Sequence, residues 1–274
     1  VLIVSIKKAN NMAVQIHPTA LVDAKAQIGV DVTIGPFTIV GEHVVIGDRT
    51  QIGAHNVIEG HTRIGSDNNI GHHTVLGAAP QDKKYAGEAT ALEIGDRNLI
   101  REFCSFHRGT TQDDGVTRVG NDNWIMGYVH LAHDCQIHNH TILASNAQLA
   151  GHVQVFDHAI IGGVTGVHQF VRIGAHAMIG GGSALHQDVP PFVMATGTPC
   201  KPFGPNTEGL KRRGFTPEQI LAIKRAYKIV YRQDLSIEQA ILKINEAAAA
   251  DPASADPLRL LSTFLASSDR GITR

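Results

Sequence analysis

The chain predicts a mainly β fold, a parallel β-helix of hexapeptide repeats, followed by a C-terminal α-helical domain. Three observations carry this. An aliphatic residue recurs at every sixth position from Ile16 through Val22, Ile28, Ile34, Val40, Ile46, Ile52, Ile58, Ile64 and Ile70 to Leu76. The count resumes at Ile94, Ile100 and Phe106, and runs unbroken from Val119 to Leu185. After Pro190-Pro191 the period of six stops, and apolar residues return at three- and four-residue spacing. A helix cannot use a period of six, because at about 100° per residue the apolar set spirals around the axis. A flat strand needs strict alternation, and the alternate positions here are often polar. Short strands joined by sharp bends, each turning one aliphatic inward, satisfy the period, and such repeats mark a β-helix.

The elements follow in chain order. Residues 1–15 read as a leader and the approach to the first strand. Val1–Ile6 is apolar but too short for a secretory core, lysines follow it, and Met12 lies just before the first repeat. The repeats fill residues 16–191. Gly29, Gly35, Gly41, Gly47, Gly53, Gly65 and Gly71 each follow an inward aliphatic, where a bend favours a residue with no Cβ penalty. Between Leu76 and Ile94 the inward slots fall on Asp82 and Glu88, and burying unpaired carboxylates is costly. Residues 78–93 are therefore expected to leave the solenoid as a loop. The 13-residue step from Phe106 to Val119 marks a second loop, 110–118. Pro199, Pro202 and Pro205 make 192–205 an irregular connector, and 206–274 reads as the helical domain. Thr216-Pro217-Glu218-Gln219 is a helix-start signature, and Ile220, Ile223, Tyr227, Val230 and Tyr231 give one apolar face. Ser236-Ile237-Glu238-Gln239 and Asp256-Pro257 open two more helices.

Composition narrows the function. Net charge is −1 over 274 residues, so no global field recruits nucleic acid. No apolar run approaches the length of a membrane span. The three cysteines, Cys104, Cys135 and Cys200, lack Cys-x-x-Cys spacing, which suits a reducing compartment and a cytoplasmic location. Charge is concentrated locally: from Lys201 to Arg232 there are eight Lys or Arg and two Glu. Such a patch suits an acidic partner or a pyrophosphate.

Ten of the 16 histidines lie between His107 and His186. His130 and His133 flank a bend beside the inward Leu131, and Asp134 follows directly. An imidazole titrates in the range of a general base at neutral pH, and an adjacent carboxylate can fix its tautomer. Side chains of neighbouring residues diverge in a straight strand, so a His133–Asp134 pair requires the bend.

The run His130-Leu131-Ala132-His133-Asp134-Cys135 is accompanied by Leu149-Ala150-Gly151-His152, Val167-His168-Gln169-Phe170 and Gly209-Leu210-Lys211-Arg212-Arg213-Gly214-Phe215. Gln81-Asp82-Lys83-Lys84-Tyr85-Ala86-Gly87-Glu88 and Phe106-His107-Arg108-Gly109 stand with them. In this order, over about residues 16–274, they resemble the bacterial UDP-N-acetylglucosamine O-acyltransferases that begin lipid A synthesis. The resemblance implies a left-handed β-helix and a homotrimer with sites between subunits. It implies transfer of a 3-hydroxyacyl group from acyl carrier protein to the glucosamine 3-hydroxyl of UDP-N-acetylglucosamine, with no cofactor and no metal. His133 would then be the base, Asp134 its orienting group and the Gly151 N–H the oxyanion donor. Asp82, Lys84, His107, His130, His152 and Gln169 would contact sugar, pyrophosphate or acyl hydroxyl. Asn206, Glu208, Arg212 and Arg213 would reach the uridine diphosphate, and Gly181 would help limit acyl length. Thr198-Pro199-Cys200-Lys201 departs from the family pattern where the chain end packs, so acyl length stays open. Cys135 reads as a small buried filler, not a nucleophile.

Two alternatives carry different chemistry. The hexapeptide fold also serves zinc hydratases, and His133-x4-His138 has a ligand-like spacing. A non-catalytic scaffold would need neither the His-Asp pair, the Arg pair nor both loops. A nearer rival is the N-acyltransferase of the same pathway, which usually carries an additional N-terminal domain.

Overall fold

The computed structural model describes residues 14–274. Most of the expected leader lies outside the described residues, and Gln15–Ile16 is the first strand. The solenoid is a left-handed parallel β-helix. Most strands are two residues long, as in Val45–Ile46, Gln51–Ile52 and Val57–Ile58, and the second residue is the inward aliphatic. Consecutive strands join different sheets, so the chain winds around a three-sided prism whose sheets hold 11, 9 and 8 strands. We name the faces first, second and third after the strands Gln15–Ile16, Leu21–Val22 and Gln27–Ile28 that open them. Partners in successive coils are parallel and in register, Gln51 with Asn69 and Ile52 with Ile70.

The core is a column of these aliphatics. Ile34, Val40, Ile46, Ile52, Ile58 and Ile64 are all buried. Among the described residues nothing covers the outer end of the first coil, and Ile16 there is 44% exposed. The other end is closed by the helical domain, where Tyr227 packs into the solenoid core and Phe192 into the helical core.

The glycines serve a purpose different from the expected one. The bends do contain left-handed backbone, but it falls on non-glycine residues such as Asp31 (φ 57°), Phe37 (58°) and Arg49 (56°). At Gly29, Gly35, Gly47, Gly53, Gly65 and Gly71, though not at Gly41, the glycine after the aliphatic is instead required by the next coil. A Cβ on Gly47 would lie 2.5 Å from the Gly65 carbonyl carbon, and one on Gly35 would lie 2.7 Å from that of Gly53. At those distances the coils must separate.

Both loops leave from the edge between the second and third faces, but they are shorter than expected. Ala91–Ile94 and Val116–Val119 are four-residue strands paired with each other, so 91–93 and 116–118 belong to the third face. Outward Glu93 and Arg118 alternate with buried Leu92 and Thr117, a pattern that counting in sixes passes over. The expected connector also contains regular structure. Val193–Thr196 extends the first face, and Lys201–Pro205 folds back antiparallel to it.

Four helices follow: α1 (Thr207–Arg212), α2 (Pro217–Arg232), α3 (Ile237–Ala250) and α4 (Ala255–Ala266). The capping boxes read from Thr216 and Ser236 are present, each with its side chain accepting from the N3 backbone and N3 Gln returning the bond. After α4 the chain returns to the last coil, where the Asp188 N–H donates to the Gly271 carbonyl and the Thr273 N–H to the Asp188 carbonyl.

Candidate active site

One edge of the prism, between the second and third faces, gathers the chemistry. Its bends follow the second-face strands His130–Leu131, Gln148–Leu149 and Gly166–Val167, which stack in register. They therefore place His133-Asp134, Gly151-His152 and Gln169-Phe170 one above another. Both loops start on the same edge in preceding coils, after Val75–Ala78 and Ser105–His107.

Asp134 occupies the left-handed region (φ 62°), which turns its side chain back beneath His133. Its carboxylate is fully buried, and Oδ2 lies 2.9 Å from His133 Nδ1. Thr110 fixes it further, with the backbone N–H donating to Oδ1 (2.8 Å) and the hydroxyl to Oδ2 (2.6 Å). Burial alone would raise this carboxyl, but the hydrogen bonds from His133 and Thr110 prevail and hold it below its ordinary range. An ionised carboxylate only accepts, so the His133 proton sits on Nδ1 and the Nε2 lone pair is free. Gly151 lies against this ring: a Cβ there would be 2.5 Å from His133 Cε1 and 2.8 Å from Nε2.

The other histidines form a shell. His152 stands at right angles to His133, with ring centroids 5.1 Å apart, and is held by Asp113 at 3.1 Å and by stacking on Phe170. His130 is anchored by the Ser105 hydroxyl at 2.7 Å from Nδ1, and burial lowers its pKa. His107 is buried, and its Nδ1 has no hydrogen-bond partner among the described residues. Burial first, then the neighbouring His130, His133 and Arg108, push His107 down to about 4, so it is neutral at physiological pH.

The loops meet over this shell. Asp82 accepts from Gln112 Nε2 (2.6 Å), and Lys84 donates to Gln112 Oε1 (3.1 Å), which ties the first loop to the second. The Lys84 N–H, Gln112 and the nearby His133 keep the Asp82 carboxyl below its ordinary range. An open groove of about 550 Å³ runs from His133 and Gly151 along the second face to His168 and His186, with Gln81 of the first loop beside it.

The structure therefore brings together Asp82, Lys84, His107, His130, His133, Asp134, Gly151 and His152, with exposed Gln169 one coil beyond Gly151. It does not bring the helical residues to them within one chain. Asn206 caps α1 by accepting from the Gly209 N–H and donates to the His176 carbonyl. Arg213 is half-buried and donates to the His158 carbonyl at 2.9 Å, while Glu208 pairs with Lys211 on the exposed side of α1. His158 and His176 stack at the edge between the third and first faces. Gly181 lies at the bend between Met178–Ile179 and Ala184–Leu185, on the edge between the first and second faces.

Sequence reasoning missed Thr110, Gln112, Asp113 and Ser105. All four act as supports across long sequence separations, Thr110 on Asp134 from 24 residues away. The zinc spacing also fails geometrically. His138 begins a different bend and stacks on Phe156, away from His133. The donor atoms of His133, Asp134 and His152 do lie within 4.8 Å of one another and, among the described residues, form a group that could hold a metal ion. Cys135 is buried, donates to the Ala150 carbonyl, and its thiol is pushed up to about 12 by burial, which suits a filler.

A left-handed solenoid of hexapeptide repeats whose edge carries a carboxylate-oriented histidine packed against a glycine has the build of a hexapeptide-repeat acyltransferase. The comparisons agree. The family model for UDP N-acetylglucosamine O-acyltransferase, domain 2, matches residues 188–273, and that for the bacterial transferase hexapeptide (six repeats) matches 43–78 and 117–151. The acyl-(acyl-carrier-protein)–UDP-N-acetylglucosamine O-acyltransferase of Cupriavidus necator is 65% identical over 95% of this chain and 99% of that protein. Its counterpart in a Janthinobacterium strain is 57% identical over 94% and 99%. The Francisella novicida UDP-N-acetylglucosamine acyltransferase structure superposes with a TM-score of 0.91 at 42% identity, covering 95% of this chain and 94% of that one. The chain belongs to the acyl-(acyl-carrier-protein)–UDP-N-acetylglucosamine O-acyltransferase family.

Proposed function

We propose that this chain transfers a 3-hydroxyacyl group from acyl carrier protein to the glucosamine 3-hydroxyl of UDP-N-acetylglucosamine, the first step of lipid A synthesis, in the cytoplasm. The observation that carries the mechanism is the buried, ionised Asp134 fixing the His133 tautomer so that Nε2 faces the groove beside Gly151. His133 Nε2 takes the proton of the sugar hydroxyl as its oxygen attacks the thioester carbonyl carbon. Asp134 stabilises the imidazolium formed. The Gly151 N–H donates to the developing oxyanion, a contribution of about 3 kcal/mol in comparable sites. The intermediate collapses by breaking the C–S bond. The departing thiolate takes the proton from His133, which leaves an ester and a free carrier thiol.

His107, kept neutral by burial, is suited to donate or accept one uncharged hydrogen bond to substrate. Asp82 and Lys84 offer both charges at the groove mouth, and His130, His152 and Gln169 complete its polar rim. Asn206, Glu208, Arg212 and Arg213 lie on another edge of the same chain, so a uridine diphosphate site built from them requires a neighbouring copy. This supports a homotrimer with shared sites. The basic stretch from Lys201 to Arg232 suits the acidic carrier protein, and Gly181 is the residue assigned to acyl length.

The test is acyl transfer from 3-hydroxyacyl carrier proteins of graded chain length to UDP-N-acetylglucosamine, read by mass spectrometry. A single preferred length supports the reading, and His133→Ala is expected to lower kcat by two or more orders of magnitude with the fold intact. No transfer at any length, or undiminished turnover by the variant, refutes it.

A further inference from the structure

His152 meets two carboxylates, and the roles above leave the second contact unexplained. Its Nδ1 lies 3.1 Å from Asp113 Oδ2, and its Nε2 lies 3.7 Å from Asp134 Oδ2. The first is a hydrogen bond, and the second is too long for one. A carboxylate only accepts, so the single proton of the neutral ring sits on Nδ1, and the Nε2 lone pair faces the anionic Asp134 oxygen. Two electron pairs turned towards each other suit a cation between them. His133 Nδ1 approaches the same oxygen at 2.9 Å. A tetrahedral zinc ion with bonds of about 2.0–2.1 Å sets its ligand atoms about 3.3 Å apart. The two distances to Asp134 Oδ2, 2.9 and 3.7 Å, fall on either side of that value. The outer support is also built. Asp113 orients His152, and Thr110 donates to both Asp134 oxygens, at 2.8 and 2.6 Å. Such partners fix the direction of metal ligands and raise their basicity.

We infer that His133, Asp134 and His152 bind a divalent transition-metal ion of the zinc class, and that the bound ion switches the enzyme off. Two imidazoles and one carboxylate select such an ion over Mg²⁺ or Ca²⁺, which take oxygen ligands. The ion bonds to His133 Nδ1, Asp134 Oδ2 and His152 Nε2, and gives up water from its own hydration shell. The proton that His133 carries on Nδ1 passes to Nε2, because a neutral ring metallated on one nitrogen keeps its proton on the other. Nε2 then has no lone pair with which to take the sugar proton. The same ring is therefore a metal ligand or a general base, never both. Asp134 changes with it, from orienting group to ligand. The switch rests on the acyltransferase reading, whereas the ion site rests on the geometry alone.

The experiment titrates the chelator-treated full chain with zinc chloride, for wild type, Asp113→Asn and His152→Gln. Binding is read by calorimetry, and by the visible absorption of tetrahedral Co²⁺ in a parallel titration. Acyl transfer is measured on the same samples before and after a chelator is added back. Wild type is expected to bind one Zn²⁺ per chain, to lose turnover in step with occupancy, and to recover it with chelator. Mg²⁺ at the same concentration is expected to leave turnover unchanged. Asp113→Asn should weaken Zn²⁺ binding about tenfold, and His152→Gln, which removes a ligand, about a hundredfold or more. Absence of stoichiometric binding by wild type, undiminished binding by His152→Gln, or full turnover at full occupancy overturns the inference. Absence of transfer by the metal-free wild type overturns the acyltransferase reading and the switch with it, while calorimetry on wild type and His152→Gln still decides the ion site.

Discussion

Replacing Gly151 by Ala puts a methyl group in place of one hydrogen at the point where the proposed base rests. The backbone tolerates the change, because Gly151 is not among the glycines with positive φ. The new Cβ would lie 2.5 Å from His133 Cε1 and 2.8 Å from Nε2. Carbon atoms in contact settle at roughly 3.5 Å or more, so the imidazole must move by about 1 Å. His133 is partly exposed and can make that shift, at the expense of its alignment with Asp134. A displacement of this size costs about a hundredfold in rate where geometry controls reaction, while overpacking costs about 1–2 kcal/mol of stability. Turnover is measured with saturating donor and acceptor, and unfolding by circular dichroism. Gly204→Ala is the control, since its Cβ meets nothing within 4 Å. A Gly151→Ala enzyme retaining more than a third of wild-type kcat would refute the placement of His133 as base.

Two further outcomes follow from buried groups. Thr110→Val removes the 2.6 Å hydroxyl bond to Asp134 and keeps the side-chain shape. It should cost about 2 kcal/mol by denaturant unfolding and about tenfold in kcat, and unchanged stability would argue against Thr110 as the carboxylate's support. His107 titrates at about 4 when folded, against about 6.5 in an unfolded chain. The unfolded chain therefore binds the extra proton first, and stability is full above pH 6.5 and declines as pH falls towards 4, by about 3 kcal/mol for this group. His107→Gln should flatten that part of the stability–pH curve. A curve identical to wild type would show that burial does not hold His107 neutral.

The architecture was legible because one residue in six has no alternative to the core, and Ile16 to Leu185 record this without the help of neighbours. The loop ends were not, because Leu92 and Thr117 add a second buried residue to their strands and hide the change behind outward Glu93 and Arg118. His133 and Asp134 were readable as adjacent polar residues at a bend. Thr110 was not, because its role exists only once the second loop has set it against Asp134 of the next coil. The two strands between 192 and 205 were masked by three prolines, which an edge pairing tolerates. The separation of Asn206 and Arg213 from His133 belongs to the turn of the prism and leaves no trace in local sequence.

The backbone-to-backbone contact at glycines such as Gly47 and Gly35 governs how this protein can change length over evolutionary time. A one-residue deletion within a face would rotate every later side chain out of its place and set a Cβ against a carbonyl in the coil above. Loss or gain of a whole coil restores every contact at once. Descendants of this gene should therefore differ along the faces by multiples of 18 residues, and by arbitrary numbers only at the edge that carries the two loops.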